Sequence, residues 1–215
     1  MEITVLICIH SRDKLHDDLF DQALNSLTQQ TYKEFKTLCV LDECWSNTAL
    51  VVDKYKEILN ISYLEKEKKQ GLAYAKNFGI DRIDTKYVAF LDADDLYMPE
   101  KLEKQINYIE SVDVDFLGTH CWNRHLGNNK LFNSCFKINE YNTHEEIKGH
   151  IFHGNCMTHG SMLIKKSALN ELGGYQHVKG AEDWDLWQRA IKKGYKFNQL
   201  PERLYVWTAG TSVAR

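Results

Sequence analysis

Over its first hundred residues the chain alternates short, continuous apolar runs with segments of helical spacing, and that alternation restricts the fold more than any other feature of the sequence. Residues 4–9 are almost wholly apolar, as expected of a strand buried on both faces. Leu19, Ala23, Leu24 and Leu27 then recur at the spacing of one helix face. Residues 35–41 form a second apolar run, ending at Asp42. The pattern predicts a helix over 49–59 with Leu50, Val51 and Ile58 as its apolar positions, a third strand over 61–64, and a helix over 71–80 entered through Gly71. It predicts a fourth strand over 87–91, followed at once by Asp92. Pro99 suits the first turn of a helix reaching about Ile109. Repeated strand–helix–strand order implies an α/β fold: a mainly parallel central sheet with right-handed crossovers, flanked by helices. Ligands of open sheets of this kind bind beyond the carboxyl ends of the strands, where Asp42 and Asp92 both fall.

The second half is less regular. Strands are expected over 114–117, 160–164 and 204–207, with a hairpin turn at Gly127-Asn128-Asn129. Residues 182–193 carry a strong helical pattern with Leu186, Ala190 and Ile191 on one side. No internal repeat or linker divides the 215 residues, so a single domain spanning 1–215 is expected. The content of 5 Trp, 11 Tyr and 9 Phe is enough for a large core. The charge balance of 27 basic against 30 acidic residues, net −3, excludes a generic polyanion surface, and no nucleic-acid partner is expected. Six Cys occur without a CxxC pair, which indicates a reducing compartment and no disulfide framework. The first residues lack the basic flank and cleavage site of a signal peptide, and no apolar run approaches the roughly 20 residues of a membrane span. The expectation is a soluble, cytoplasmic protein.

Asp92-Ala93-Asp94-Asp95 sets three carboxylates just past a buried strand. Mg²⁺ and Mn²⁺ favour carboxylate and water oxygens, and Mg²⁺ is commonly held by one or two carboxylates plus substrate phosphates. A cation bridging a diphosphate stabilises the charge that builds as the diphosphate leaves. Taken alone, the run is equally well explained as an acidic loop capping the next helix.

Six stretches, in order, resemble family 2 glycosyltransferases: Val5-Leu6-Ile7-Cys8-Ile9-His10-Ser11-Arg12, Ser26-Leu27 with Gln30-Thr31-Tyr32, Leu41-Asp42-Glu43, Gly71 to Asn77, Leu91-Asp92-Ala93-Asp94-Asp95, and Leu172-Gly173-Gly174-Tyr175 with Glu182-Asp183-Trp184-Asp185-Leu186-Trp187 and Arg189. The resemblance implies a GT-A fold with a nucleotide-sugar-binding half over 1–110 and an acceptor-binding half over 111–215. It implies inverting transfer of a sugar from a nucleoside-diphosphate sugar, a UDP-sugar by default, to a hydroxyl of a glycan, lipid or protein. By analogy Ile9, His10, Arg12, Asp42, Lys76, Asn77, Asp92 and Ala93 would contact the donor, with Asp42 at the nucleobase. Asp94 would bind Mn²⁺ or Mg²⁺, and Asp183 would be the general base. Three departures stand out. Cys8-Ile9-His10-Ser11 replaces the usual Pro-Thr-Tyr-Asn, Glu43-Cys44-Trp45 replaces Asp-Gly-Ser, and Lys76 replaces Arg, which removes a bidentate donor. No Gln-x-x-Arg-Trp follows Asp183, which argues against processive polymerisation.

A general base must reach the acceptor hydroxyl within about 2.6–3.2 Å or through one water. Asp183 opens the helix at 182 beside Trp184 and Trp187, whose rings could stack on sugars, although acids in a first helical turn also serve as ordinary caps. Glu182, Trp184, His159 and Gly160 are further candidates for acceptor or sugar contact, with His153 and Asn155 nearby. His150, His153, Cys156 and His159 recur every three residues, but no zinc-finger spacing matches, and an ordinary polar loop is the stronger reading. Residues 66–69 read as a solvated basic loop. Residues 207–212 fall where family members carry a His or hydroxyl residue near the metal or diphosphate, and no His occurs there in this chain. Two other functions compete. A nucleotidyltransferase acting on sugar phosphates would need a glycine-rich basic loop after strand one, and Ser11-Arg12-Asp13-Lys14 has no glycine. A non-catalytic sugar-binding module with the same fold would be expected to lose Asp94 or Asp183, and both are present.

Overall fold

The computed structural model describes residues 1–45, 47–68, 70–126, 130–133 and 139–210. The chain starts with β1 (Ile3–Ile9), α1 (Lys14–Thr28), β2 (Phe35–Asp42), α2 (Thr48–Asp53), β3 (Ile61–Lys66), α3 (Leu72–Ile80) and β4 (Tyr87–Phe90). It continues through β5 (Leu96–Tyr97), α4 (Lys101–Ser111), β6 (Phe116–His125), β7 (Leu131–Asn133) and α5 (His144–His150). A 3-10 turn (His159–Ser161), β8 (Leu163–Lys165), α6 (Lys166–Glu171), α7 (Glu182–Lys193) and β9 (Phe197–Ala209) complete it.

The strands join one mixed sheet in the order β3-β2-β1-β4-β8-β6-β9-β5, with β7 on β6. The expected parallel core is β3, β2, β1 and β4, in which Leu6 pairs with Leu38 on one side and Phe90 on the other. Beyond β4 the sheet changes character. β8 runs antiparallel to both β4 and β6, while β6 and β9 are parallel. The two faces of β1 follow its period of two. Ile3, Val5 and Ile7 pack with Phe20, Leu24 and Leu27 of α1, whereas Leu6 joins Ala75 and Ile80 of α3 and Leu186 and Trp187 of α7.

Several elements differ from the sequence reading. α2 stops at Asp53, and a run of turns carries the chain to Leu59. Leu50 and Ile58 are exposed, because Val51, Val52, Tyr55 and Leu59 supply the inward face. Pro99 lies ahead of α4, whose N-cap is Glu100. The run expected as a strand over 160–164 splits between the 3-10 turn and β8. β6 and β9 are far longer than their apolar cores, because each is the other's parallel partner across two register shifts. The turn at Gly127-Asn128-Asn129 lies outside the described residues, although Trp122–Arg124 and Leu131–Asn133 pair antiparallel on either side. Cys8, Cys39, Cys44, Cys121 and Cys156 are free thiols, and Cys135 lies outside the described residues. Among the described residues no helix is long and apolar enough to cross a membrane.

Candidate active site

A cavity of about 520 Å³ opens at the carboxyl ends of β1, β2 and β4. One wall is Cys8, Ile9 and His10 with Asp42, and another is the first turn of α3 after Gly71. Asp92, Ala93 and Asp94 line it from the loop after β4, and residues 177–180 with Glu182 line it from the entry to α7. Gly71 has φ 99, a left-handed conformation open to glycine at no steric cost, and no side chain caps the helix it precedes. The first turn of α3 thus lines the cavity with no side chain capping its N–H groups, an arrangement suited to an anion.

The end of the cavity beyond β1 and β2 is set by two stitched loops. His10 Nδ1 donates to the Asp42 carbonyl at 2.7 Å, in the tautomer that places its proton there. The Ser11 N–H donates to Cys44 Sγ at 3.3 Å, and Cys44 Sγ in turn donates to the Ile9 carbonyl at 3.2 Å. Burial pushes the Cys44 thiol up to about 11, so it remains a donor at neutral pH. Cys44, one of the departures from the family pattern, is thus a tie between β1 and β2. The Asp42 carboxylate receives Lys66 Nζ at 2.8 Å in a pair only 5–6 % exposed. Lys66 also lies 4.3 Å from the Tyr74 ring centroid. The reading of 66–69 as a solvated loop is therefore corrected at Lys66, which ends β3 as a buried ion-pair partner. Arg12 is exposed and does not line the cavity.

The three carboxylates of the acidic run sit in different surroundings. Asp92 is one-third exposed and Asp94 8 %, and both line the cavity. Asp95 is buried beneath them, where its carboxylate accepts the Tyr205 hydroxyl and the Thr208 N–H, each at 2.6 Å. Burial, then the charges of Asp94 and Asp92, push the Asp95 carboxyl well above the usual carboxylate range. Burial also opposes charge on Asp92, but the His159 ring, then Lys76 and the Tyr205 hydroxyl, hold its carboxyl below the ordinary value. His159 Nδ1 stands 3.6 Å from Asp92 Oδ1, and its Nε2 meets the Tyr175 hydroxyl at 2.9 Å. Gly160 faces Tyr205 rather than the cavity, since a Cβ there would lie 1.8 Å from the Tyr205 hydroxyl. Through Thr208, residues 207–209 of β9 lie against the acidic run. Thr211 and Ser212 lie outside the described residues.

The helical side is braced from α3. Lys76 Nζ meets Glu182 Oε1 at 3.0 Å with side chains 4 % and 14 % exposed, and Lys76 also lies 5.0 Å from the Tyr175 ring centroid. Asn77 exchanges both its amide groups with the Tyr175 backbone and does not line the cavity, so its contribution is to the fold. Asp183 is partly exposed just outside the lining. Its Oδ2 accepts from Asn155 Nδ2 at 3.0 Å and its Oδ1 from the Trp184 N–H at 2.7 Å. The Trp184 indole donates to the Ile151 carbonyl, and Trp187 is wholly buried, edge-on against the stacked rings of Phe116 and Phe197. Trp187 therefore has no face for a sugar, which corrects that expectation. Among the described residues no three His, Cys, Asp or Glu side chains gather as a metal site. His150 stacks on Tyr141, and Cys156 is core.

A model of glycosyl transferase family 2 matches residues 4–173. The chain belongs to that family. The match takes in Asp42, Lys76 and the acidic run and ends ahead of α7. Among curated relatives, the amylovoran biosynthesis glycosyltransferase AmsE of Erwinia amylovora is 29 % identical over 214 residues, covering 98 % of this chain and 77 % of AmsE. Among solved structures, S. aureus TarS 1–349 in complex with UDP-GlcNAc superposes with a TM-score of 0.81 at 18 % identity, over 100 % of this chain and 60 % of that one. The mannosyltransferase PcManGT of Pyrobaculum calidifontis, in complex with GDP-Man and Mn²⁺, gives 0.74 at 16 %, over 99 % of this chain and 58 % of that one. These likenesses establish a GT-A-like fold. The chain spans 63 %, 77 % and 72 % of the length of the first curated relatives it matches, 60 % of TarS 1–349 and 37 % of the longer TarS chain.

Sequence reasoning missed part of this family 2 cavity. Leu72, Ala73 and Ala75 line it from the start of α3, whose signal was the glycine ahead of an uncapped helix. His177, Val178, Lys179 and Gly180 line it from an irregular segment between Tyr175 and α7, where no periodicity marks a role.

Proposed function

We propose that this chain is the catalytic unit of an inverting, non-processive glycosyltransferase that moves a hexosyl group from a nucleoside-diphosphate sugar, a UDP-sugar first, to a hydroxyl of a glycan, lipid or protein. One observation carries the reading: a single cavity has Asp42, Asp92 and Asp94 on one side and the carboxylate-bearing start of α7 on the other. That TarS binds UDP-GlcNAc and PcManGT binds GDP-Man on the same fold supports a nucleotide-sugar ligand.

In this reading Asp42 meets the nucleobase, with its orientation fixed by Lys66. His10, Ile9, Asp92 and Ala93 border the nucleoside, and the N–H groups opening α3 face the phosphates. Asp92 and Asp94, with no cluster of three candidate ligands among the described residues, fit a hard cation that completes its shell with water and phosphate. Asp94 would hold Mn²⁺ or Mg²⁺, which would stabilise the negative charge of the departing diphosphate. The acceptor oxygen attacks the anomeric carbon from the face opposite the diphosphate, the bond from that carbon to the phosphate oxygen breaks, and the hydroxyl proton passes to Asp183. Glu182, held by Lys76, borders the sugar.

The test is release of nucleoside diphosphate from a panel of nucleotide sugars with Mn²⁺ and candidate acceptors. Asp94→Ala should remove metal-dependent donor binding, whereas Asp183→Asn should keep donor binding and stop transfer. Absence of release from every donor would sink the enzyme reading, and normal turnover by Asp183→Asn would sink the base assignment.

A further inference from the structure

Asp183 does not stand alone. We infer that Asn155 is the positioning residue for the base, holding the Asp183 carboxylate in one orientation through its side-chain amide. The inference rests on the reading of Asp183 as general base.

The amide is fixed from both ends. Asn155 Nδ2 donates to Asp183 Oδ2 at 3.0 Å, and Asn155 Oδ1 accepts the Met157 N–H at 3.2 Å. The second bond decides which end of the amide is the donor, since Oδ1 is committed to a backbone N–H that cannot accept. The loop that carries Asn155 is anchored on its far side by Cys156 and Met157, both buried in the core. A second tie joins the same two segments, from the Trp184 indole to the Ile151 carbonyl. The segment after α5 is thus held at Ile151 and Asn155 to the adjacent residues Trp184 and Asp183 of α7, and the tie next to the Trp184 brace ends on the carboxylate.

The remaining geometry says what this does. Asp183 Oδ1 accepts the Trp184 N–H at 2.7 Å, so each carboxylate oxygen already has one donor and keeps lone pairs for a substrate proton. With Oδ2 held, the plane of the carboxylate is set before an acceptor arrives. Loss of orientation at a reacting group costs rate rather than ground-state binding. The bond lies at the surface, where water competes, and it gains weight when a bound acceptor excludes that water.

The test separates loop folding from positioning. Asn155→Asp keeps an oxygen for the Met157 N–H but removes the donor to Asp183 and sets a like charge against it. Asn155→Ala removes both bonds. For each variant, kcat and KM for the donor are measured at saturating acceptor with a responsive nucleotide sugar. The expected result is a 10- to 100-fold fall in kcat for both, about the loss of one hydrogen bond to a charged group, with donor KM within about twofold and the Asn155→Asp melting temperature near that of the parent. Asn155→Gln, which retains an amide donor on a longer arm, should recover part of the loss. If Asn155→Asp turns over within threefold of the parent while Asp183→Asn is inactive, the positioning role is overturned and the base assignment stands. If Asp183→Asn turns over normally, the base reading itself fails.

Discussion

The Lys76–Glu182 pair allows a worked prediction. Lys76 and Glu182 are 4 % and 14 % exposed, and their charged atoms meet at 3.0 Å across 106 residues of sequence. Breaking such a pair from one side costs about 3–5 kcal/mol, because the partner charge stays buried. The two sides are not equivalent. Glu182 borders the cavity, where water can reach a released carboxylate, whereas Lys76 would stay buried with the Tyr175 ring and the charge of Asp92 in place of its ion-pair partner. Glu182→Ala should therefore destabilise by about 3 kcal/mol and Lys76→Met by less, with the double replacement milder than the sum of the two. At about 2–4 °C per kcal/mol for a chain of this size, Glu182→Ala should lower Tm by about 6–12 °C. Burial works against the Glu182 charge, but Lys76 outweighs it and holds the carboxyl below its ordinary value. A depressed folded value means the stabilisation is complete above the unfolded carboxyl value of about 4.3 and disappears as pH falls through the folded one. Urea unfolding of parent and Glu182→Gln should thus differ by a constant amount from pH 6 to 8, and the gap should close in acid. A Tm for Glu182→Ala within 2 °C of the parent, or a gap unchanged at pH 3, would refute the reasoning.

Two further perturbations follow from buried contacts. Gly160→Ala would drive a methyl into the Tyr205 ring, so a loss of about 1–3 kcal/mol in thermal melts is expected, with Mn²⁺-dependent donor binding weakened as Tyr205 moves off Asp95. Lys101 is fully buried beside Gln105 and the Tyr97 ring, and burial lowers its amine well below the ordinary value. The unfolded chain then binds the extra proton, so this residue makes stability rise with pH up to its ordinary value of about 10.4. Lys101→Met should flatten that rise between pH 7 and 9 without loss of stability at pH 7, as measured by chemical denaturation.

What the sequence conveys and what it hides have physical causes. β1, β2 and β4 are legible because a strand buried on both faces is apolar throughout, and α7 because a half-buried helix repeats every third or fourth position. The ends of these strands delivered Asp42 and Asp92 directly. β5 has two residues and is a strand only because β9 lies beside it, so no local pattern encodes it. β9 contains Pro201, Glu202 and Arg203 near the register shifts against β6, which interrupt any apolar signature. The burial of Lys66 was invisible because its partner, Asp42, is 24 residues away. Asn77 carries a family motif position and Gly160 is a candidate sugar contact, yet their side-chain positions serve backbone and tyrosine packing, a distinction that only tertiary contacts draw.

The clamp on Asp95 also bears on how the protein is made. Its two donors, Tyr205 and Thr208, lie 110 and 113 residues downstream of the carboxylate. A nascent chain halted after α7 would already contain every carboxylate assigned above, but not the strand that secures the floor beneath Asp92 and Asp94. Synthesis order thus makes the acidic floor among the last parts of the molecule to mature. Cutting the chain between α4 and β6 would leave β8, β6 and β9 together on one piece, which completes the sheet only by docking as a block between β4 and β5 of the other.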